Sequence, residues 1–253
     1  MKIVVLASGS KGNVIYVETK KHKILFDMGM NVKYIKNKLL EINVDLSDID
    51  SVFITHDHSD HVSALPVFIK NYSSKIYISL SMMKGIKNLH DYEHVVIYED
   101  EIELKDIKIE VIKTSHDAVD SRGFVITSGE ESAVYLTDTG YIHYKNFEKL
   151  TNKNYYLFES NYDVEKLIDG HYPMWVKQRV LSNHGHLSNK DSSIYLTKFI
   201  GDKTKKIVLM HLSENNNTED LALSTLKQTL ADNNIEFDDV ACAKQREIYE
   251  VKS

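Results

Sequence analysis

Apolar residues change their period along the chain. Short β-branched and aromatic runs open it at Lys2–Ala7, Val14–Glu18 and Lys23–Phe26, with a turn at 20–22 between the last two. Ile35, Leu39 and Ile42 then recur at helical spacing and predict a helix over 32–42. The compact run 50–55 (DSVFIT) predicts a strand, 64–70 the start of a helix, 76–78 a strand and 82–89 a helix. A strand-rich middle follows at 94–98, 107–113, 123–127, 132–137 and 154–159. From Val164 onward helices dominate. Pro173 suits the first turn of one, and Ser188 and Thr218 are caps for helices over 193–200 and 219–233. A strand at 206–210 interrupts them, and Val240 and 248–251 finish the chain. No repeat or Pro/Gly-rich joint divides this pattern. Strands with helices outside them predict one α/β domain over 1–253, built on two packed sheets.

Composition narrows the classes. At 42% hydrophobic and 27% charged residues the chain is ordinary for a globular protein. A net charge of −6 weakens the reading of a protein that coats nucleic acid by charge alone, and arginine only at 122, 179 and 246 argues against a bidentate base-reading surface. A nuclease stays open, because bound divalent cations would add positive charge locally. The single cysteine, Cys242, excludes an intramolecular disulfide framework. No apolar run approaches the ~18 residues of a membrane helix, and the run 3–7 is short for a signal-peptide core, so a cytoplasmic location without membrane association is expected.

The chemistry concentrates in Thr55-His56-Asp57-His58-Ser59-Asp60-His61. Three histidines and two aspartates in seven residues, directly after a buried strand, need a partner. In extended backbone His56 and His58 point the same way and can grip one ion. If the chain then turns into a helix, Asp60 and His61 sit on its first turn and face a neighbouring position. Imidazole with carboxylate, and no cysteine nearby, suits an open zinc, manganese or iron site better than a closed structural zinc. Three further strands end in ligand-type residues: His116 after 109–114, Asp138 after 133–137 and His211 after 207–210. Asp27 ends a fourth and is read as orienting a ligand histidine or the loop, with a plain Asp-Met-Gly turn as the alternative.

In this order, Asp27, His56-x-His58-x-Asp60-His61, His116, Asp138 and His211 resemble the five motifs of the metallo-β-lactamase-fold hydrolases. The resemblance implies a four-layer αββα sandwich with a pair of divalent metals between the sheet edges. It implies that His56, His58 and His116 hold one metal, that Asp60, His61 and His211 hold the other, and that Asp138 bridges. The turn Ser8-Gly9-Ser10-Lys11-Gly12-Asn13 and the segments 158–163, 170–173, 184–189 and 211–217 are similar to those of the YycJ/WalJ-type 5′-to-3′ double-strand DNA exonucleases, which are linked to mismatch repair. Glu159 and His186 look like the glutamate and histidine pair of tRNA 3′-end processing nucleases. Asp138 and His211 are only 73 positions apart, too few for a cap domain.

The activity so implied is phosphodiester hydrolysis by a hydroxide shared between two ions about 3.5–4 Å apart. Asp60 would also accept a hydrogen bond from the nucleophile, and His186, oriented by Glu159, would protonate the leaving oxygen. A helix-capping histidine and a buried structural glutamate explain the last pair equally well. Ser10 and Asn13 would place donors near the scissile phosphate, or simply form a tight turn. His143 flanks the site or sits in an exposed aromatic loop, His184 points away or caps the following helix, and Trp175 packs in the core or stacks on a base. Lysines 198, 203, 205 and 206 track a phosphate backbone or form a solvated face. Two other functions compete with a DNA substrate: hydrolysis of a small phosphodiester, thioester or lactone, and metal binding without catalysis.

Overall fold

The first strand, β1 (Lys2–Ala7), is apolar on both faces: Val4 and Leu6 pack toward helices, while Ile3 and Val5 pack toward the opposite sheet. Such a strand is stable only where both faces are covered. The computed structural model, which describes residues 1–252, covers both. One sheet continues from β1 through β2 (Val14–Glu18), β3 (Lys23–Phe26), β4 (Ser51–Phe53), β5 (Lys75–Ile78) and β6 (Val95–Ile97). The other follows in chain order from β7 (Glu101–Glu103) and β8 (Lys108–Lys113) through β9 (Arg122–Ser128), β10 (Glu131–Leu136), β11 (Tyr155–Glu159) and β12 (Lys206–Met210) to β13 (Val240–Cys242). The last strand, β14 (Tyr249–Lys252), returns to pair antiparallel with β1.

Strands β3 to β6 are parallel, as are β10 to β13. Parallel pairs need crossovers, and helices provide most of them. Helices α1 (Val32–Glu41), α2 (Ser59–Val62), α3 (Leu65–Phe68) and α4 (Leu80–Met83) lie between strands of the first sheet. Helices α5 (Phe147–Leu150), α6 (Val164–Asp169), α7 (Met174–Leu181), α8 (Asn189–Phe199) and α9 (Glu219–Asp232) lie between strands of the second. Three apolar cores result. Leu25 and Val52 meet Ile35, Leu39 and Phe68 on the outer face of the first sheet. Phe158 and Leu209 meet Leu196, Phe199 and Leu226 on the outer face of the second. Between the sheets an aromatic group forms, with Phe53 stacked 4.3 Å from Tyr77 and Phe26 5.3 Å from Phe124. These layers form an αββα sandwich.

The departures from expectation are local. The helix expected over 82–89 is shorter and earlier: Ser79 caps α4 at Leu80, and Asn88 enters the left-handed region (φ 64°) before a 3-10 turn at Leu89–Asp91. Strand β7, Glu-Ile-Glu, has one apolar residue and pairs only with β8 at the sheet edge, so it carries no periodic signal. Helix α8 starts directly after its Ser188 cap rather than at 193. Pro173 is the cap residue of α7, not part of its first turn. No helix among the described residues is long and apolar enough to cross a membrane.

Candidate metal centre

Parallel strands bring their C-terminal ends to a common edge, and ligand-type residues gather there. Asp27 follows β3, the 55–61 loop follows β4, Asp138 follows β10, Glu159 ends β11 and His211 follows β12. Register aligns the last three, because Leu136 pairs with Phe158 and Glu159 pairs with Met210. Asp27, Asp138 and His211 all adopt left-handed backbone, with φ of 61°, 56° and 56°; among the described residues, the other non-glycine residues in that region are all asparagine. Such a conformation costs an L-residue about 1–2 kcal/mol. Here it is spent at residues that converge on one cluster, where backbone strain marks functional sites.

The loops close over one another at backbone distance. Asn13 N–H donates to the Asp60 carbonyl (2.8 Å), and Met28 N–H donates to that of His61 (2.7 Å). Gly29 permits this approach, since a Cβ there would lie 1.6 Å from the Asp60 carbonyl oxygen.

Two ligand groups form. His56, His58 and His116 make one, and Asp60, His61, Asp138 and His211 the other, each with ligating atoms within 4.8 Å of one another. Asp138 joins them: one carboxylate oxygen is 3.2 Å from His61 Nε2 and the other 3.8 Å from His116 Nε2. A third, overlapping group contains Asp138, Glu159, His186 and His211. Second partners engage the Nδ1 atoms of four of these rings. His61 Nδ1–H donates to Asp27 Oδ2 (2.8 Å), His116 Nδ1–H to the Gly185 carbonyl (3.0 Å), and His211 Nδ1 lies 3.2 Å from Glu159 Oε1. His56 Nδ1 is 3.1 Å from the Thr55 hydroxyl, which itself bonds Asp27.

A cation fits this arrangement. His56 Nε2 and His211 Nε2 are buried and have no hydrogen-bond partner among the described residues. An unpartnered buried polar atom costs about 1–3 kcal/mol, a cost that ligation would remove. The electrostatics agree. Burial holds His56 and His116 below the usual imidazole value, leaving neutral rings with free lone pairs. Burial also opposes ionisation of Asp138, but His211 and His61 outweigh it and hold the carboxyl well below its usual value. The same rings do this for Asp60. Nitrogen and oxygen donors without a thiolate suit zinc, manganese or iron.

At the cleft edge His186 Nδ1–H donates to Glu159 Oε1 (2.7 Å), and the buried Glu159 is itself fixed by backbone N–H groups of Thr139 and Leu187 at its other oxygen (3.0 and 3.2 Å). Burial works against its charge, and His186 and His211 overcome it, so Glu159 stays below the usual carboxylate value. Ser188, not His186 or His184, caps α8. His184 instead lies 3.1 Å from the Ser115 hydroxyl. His143 stacks on Tyr144 and, with Lys113, Lys145 and Tyr141, lines a cavity of about 470 Å³ that has His116 in its wall.

Several residues sit differently from expectation. Asn13 is buried. Its Oδ1 accepts from Gly9 N–H, and its amide reaches the Gly9 carbonyl and lies 3.1 Å from His61 Nε2, so it braces the turn and the His61 ring instead of facing a substrate. Ser10 remains exposed. Trp175 does not pack in the core: it is 67% exposed, because α7 rides outside the second sheet without a buried residue. Lys198 reaches the cleft beside His186, but Lys205 and Lys206 precede or open β12, at the opposite sheet edge from the ligands. An unforeseen pair adjoins the candidate ligands. Asp117 Oδ1 is 3.4 Å from His116 Nε2 and 4.0 Å from His58 Nε2, and its carboxylate binds Arg179 through both Nε and Nη2. The only signals for it were an acid beside His116 and the scarcity of arginine. Tyr135, Thr55 and Asn161, which hold Asp27 and His211, carried no signal beyond their places at strand ends.

A family model described as "Beta-lactamase superfamily domain" matches residues 22–212. The chain is 38% identical over 237 residues to exodeoxyribonuclease WalJ of Streptococcus pneumoniae serotype 2 (strain D39 / NCTC 7466), covering 91% of this chain and 88% of that protein. It is 33% identical over 231 residues to exodeoxyribonuclease YycJ of Bacillus anthracis, covering 89% and 88%. Among solved structures, the metallo-beta-lactamase fold protein YhfI from Bacillus subtilis aligns with a TM-score of 0.73 over 99% of this chain and 100% of that one, at 15% identity, a likeness of fold alone. The chain belongs to the β-lactamase superfamily and, within it, to the family of WalJ and YycJ.

Proposed function

We propose that the protein is a metal-dependent exodeoxyribonuclease that removes nucleotides from the 5′ end of duplex DNA. The observation that carries this reading is the seven-residue His/Asp cluster with a Glu159-held histidine at its open edge. That cluster stands in a chain similar along most of its length to proteins named exodeoxyribonucleases. His56, His58 and His116 would hold one ion, Asp60, His61 and His211 a second, and Asp138 would serve both. When bound, such ions supply Lewis acidity toward the phosphoryl oxygens and a water acidic enough to attack phosphorus near neutral pH.

The chain's own groups do the rest. Asp60, partly open to the cleft, accepts a hydrogen bond from the incoming water and orients it. His186 keeps Nδ1–H on Glu159, which leaves Nε2 to deliver a proton to the departing 3′-oxygen. A positioned acid of this kind contributes about 10²–10⁴-fold. Ser10, exposed on the 8–13 turn, offers a hydroxyl to the substrate backbone, and Asp27 fixes the His61 ring from behind. Both sheets contribute ligands, so we treat the chain as one functional domain.

The test is cleavage of 5′-phosphorylated duplex DNA by chelated protein resupplied with manganese or zinc, beside a His58→Ala, Asp60→Ala double variant. Metal-dependent shortening from the 5′ end, absent in the variant, is the expected result. The net charge of −6 and the 470 Å³ cavity beside His116, a size typical of small-ligand sites, favour a second reading, hydrolysis of a small phosphodiester. Turnover of bis(p-nitrophenyl) phosphate with every polymer left intact would select it.

A further inference from the structure

Of the helices of eight or more residues among the described residues, α7 alone has no buried side chain. It is nevertheless rich in apolar groups: Met174 and Trp175 are each 67% exposed and Leu181 44%. A tryptophan carries one of the largest apolar surfaces of any side chain, and neighbouring exposed apolar groups, unlike a lone one, mark a candidate binding face. Val176 and Val180 are half-buried on its inner side, and hydrogen bonds also fix the helix in place. Lys177 Nζ donates to the Ile168 carbonyl, and His186 N–H donates to the Val180 carbonyl (3.2 Å). Gly185, whose carbonyl holds His116, lies so close beneath that a Cβ there would come 2.1 Å from the Val180 carbonyl oxygen.

Arg179 links this helix to the metal ligands. It grips Asp117, whose carboxylate lies 3.4 Å from His116 Nε2. Trp175 precedes Arg179 by four residues, so both lie on one helix face, one turn apart. Residues 174–181 include Lys177 and Arg179 and no acid. One exposed face thus presents an aromatic plane and, a turn nearer the ligands, a guanidinium whose present partner is a carboxylate, an oxyanion that a phosphate can replace bidentately.

Building on the nuclease reading above, we infer that this face of α7 seats the end of a DNA duplex. Trp175 stacks on the terminal base, and Arg179 leaves Asp117 to hold the phosphate beside the one being cleaved. Stacking suits an enzyme that advances through any sequence, since every base has a π-face.

The chain has one tryptophan, so its emission reports position 175 alone. The experiment titrates metal-loaded His186→Ala protein, in which cleavage is slowed about 10²–10⁴-fold, with a blunt 5′-phosphorylated duplex. Tryptophan emission is followed in one series, and the anisotropy of a duplex labelled at its far end in another. Emission should be quenched with the midpoint of the anisotropy curve. In the same background Trp175→Ala should weaken duplex binding about tenfold, and Trp175→Phe should restore most of it. In otherwise wild-type protein neither change should alter bis(p-nitrophenyl) phosphate turnover or the melting temperature. Arg179→Ala should lower the slope of log affinity against log salt by about one. Saturating anisotropy with unchanged emission and an undiminished Trp175→Ala affinity would overturn the inference and leave the nuclease reading standing. No duplex binding, together with no cleavage by the wild type, would remove both. Emission that shifts with protein concentration alone, with a doubled mass in solution, would assign the face to a second copy of the chain and also overturn the inference.

Discussion

Exchanging Asp27 for asparagine alters one atom at the most heavily used acceptor behind the metal centre. Asp27 is fully buried, and its Oδ2 receives His61 Nδ1–H and the Tyr135 hydroxyl, each at 2.8 Å, while Oδ1 receives Thr55 N–H at 2.8 Å. The backbone adds no new cost, because asparagine tolerates the left-handed region that Asp27 occupies at φ 61°. If the amide carbonyl stays on Thr55, its NH₂ faces two donors. Losing both bonds, one of them to a charged group, would cost about 3–4 kcal/mol, a large share of a typical stability of about 5–15 kcal/mol. The protein has one escape. The metal-free His61 imidazolium can give up its Nδ1 proton, keep the one on Nε2 and accept from the amide at Nδ1, which limits the loss of stability to about 1–2 kcal/mol. That leaves a proton on the nitrogen facing Asp138 (3.2 Å) and Asp60 (3.6 Å), where the ion would bind. Metal affinity at the Asp60/His61/His211 group should then fall about 10- to 100-fold, as is usual when a ligand histidine loses its support, while the His56/His58/His116 group changes less. Competition with a chromophoric chelator resolves the two sites, and a thermal melt of the metal-free protein reads the stability change. Two affinities and a melting temperature all equal to wild type would refute the claim that Asp27 sets the His61 tautomer.

His186→Ala should lower the rate of DNA hydrolysis by about 10²–10⁴-fold with both metals still bound; an equal loss of metal content, measured by atomic emission, would instead make His186 a ligand of the Asp138/Glu159/His211 group. Gly29→Ala should destabilise the fold by about 3 kcal/mol or more, since its Cβ would lie 1.6 Å from the Asp60 carbonyl oxygen; an unchanged denaturation midpoint would show that the 55–61 loop yields freely. Metal binding should release protons and tighten as pH rises. Burial disfavours charge on His211 and His61, but surrounding carboxylates, Asp138 and Asp60 on both rings with Glu159 on the first and Asp27 on the second, outweigh it. They push His211 up to about 10 and His61 well above the usual value. Both rings are therefore protonated near neutral pH without metal and must lose that proton to ligate. Affinity should climb with pH until about 10, the value for His211. Calorimetry in buffers of different ionisation enthalpy measures the protons, and identical heats would contradict the account.

What could be read from the sequence, and what could not, divides along one physical line. The candidate ligand cluster was legible because few residue types hold a divalent cation and because each follows an apolar run: a buried strand that ends in His116, Asp138 or His211 carries a polar group the core would otherwise reject. The sandwich was legible for a related reason, since strands apolar on both faces, such as Lys2–Ala7, require two covers. Pairings between distant elements left no such trace. The Asp117–Arg179 link spans 62 residues and depends on where α7 is carried by the turn at Pro173 and by Gly185 beneath it. The same placement misled the reading of Trp175, because apolar content along a short helix predicts burial only when a neighbouring layer reaches it, and on this side of α7 none does. Left-handed φ at Asp27, Asp138 and His211 is silent in composition too, for aspartate and histidine occur at strand ends for many reasons. Residue type records which atoms a site needs. Where those atoms point depends on strain and tautomer, which only the assembled backbone imposes, and that is why Asp27, placed by the sequence merely behind the ligands, becomes in the fold the group that decides which nitrogen His61 offers.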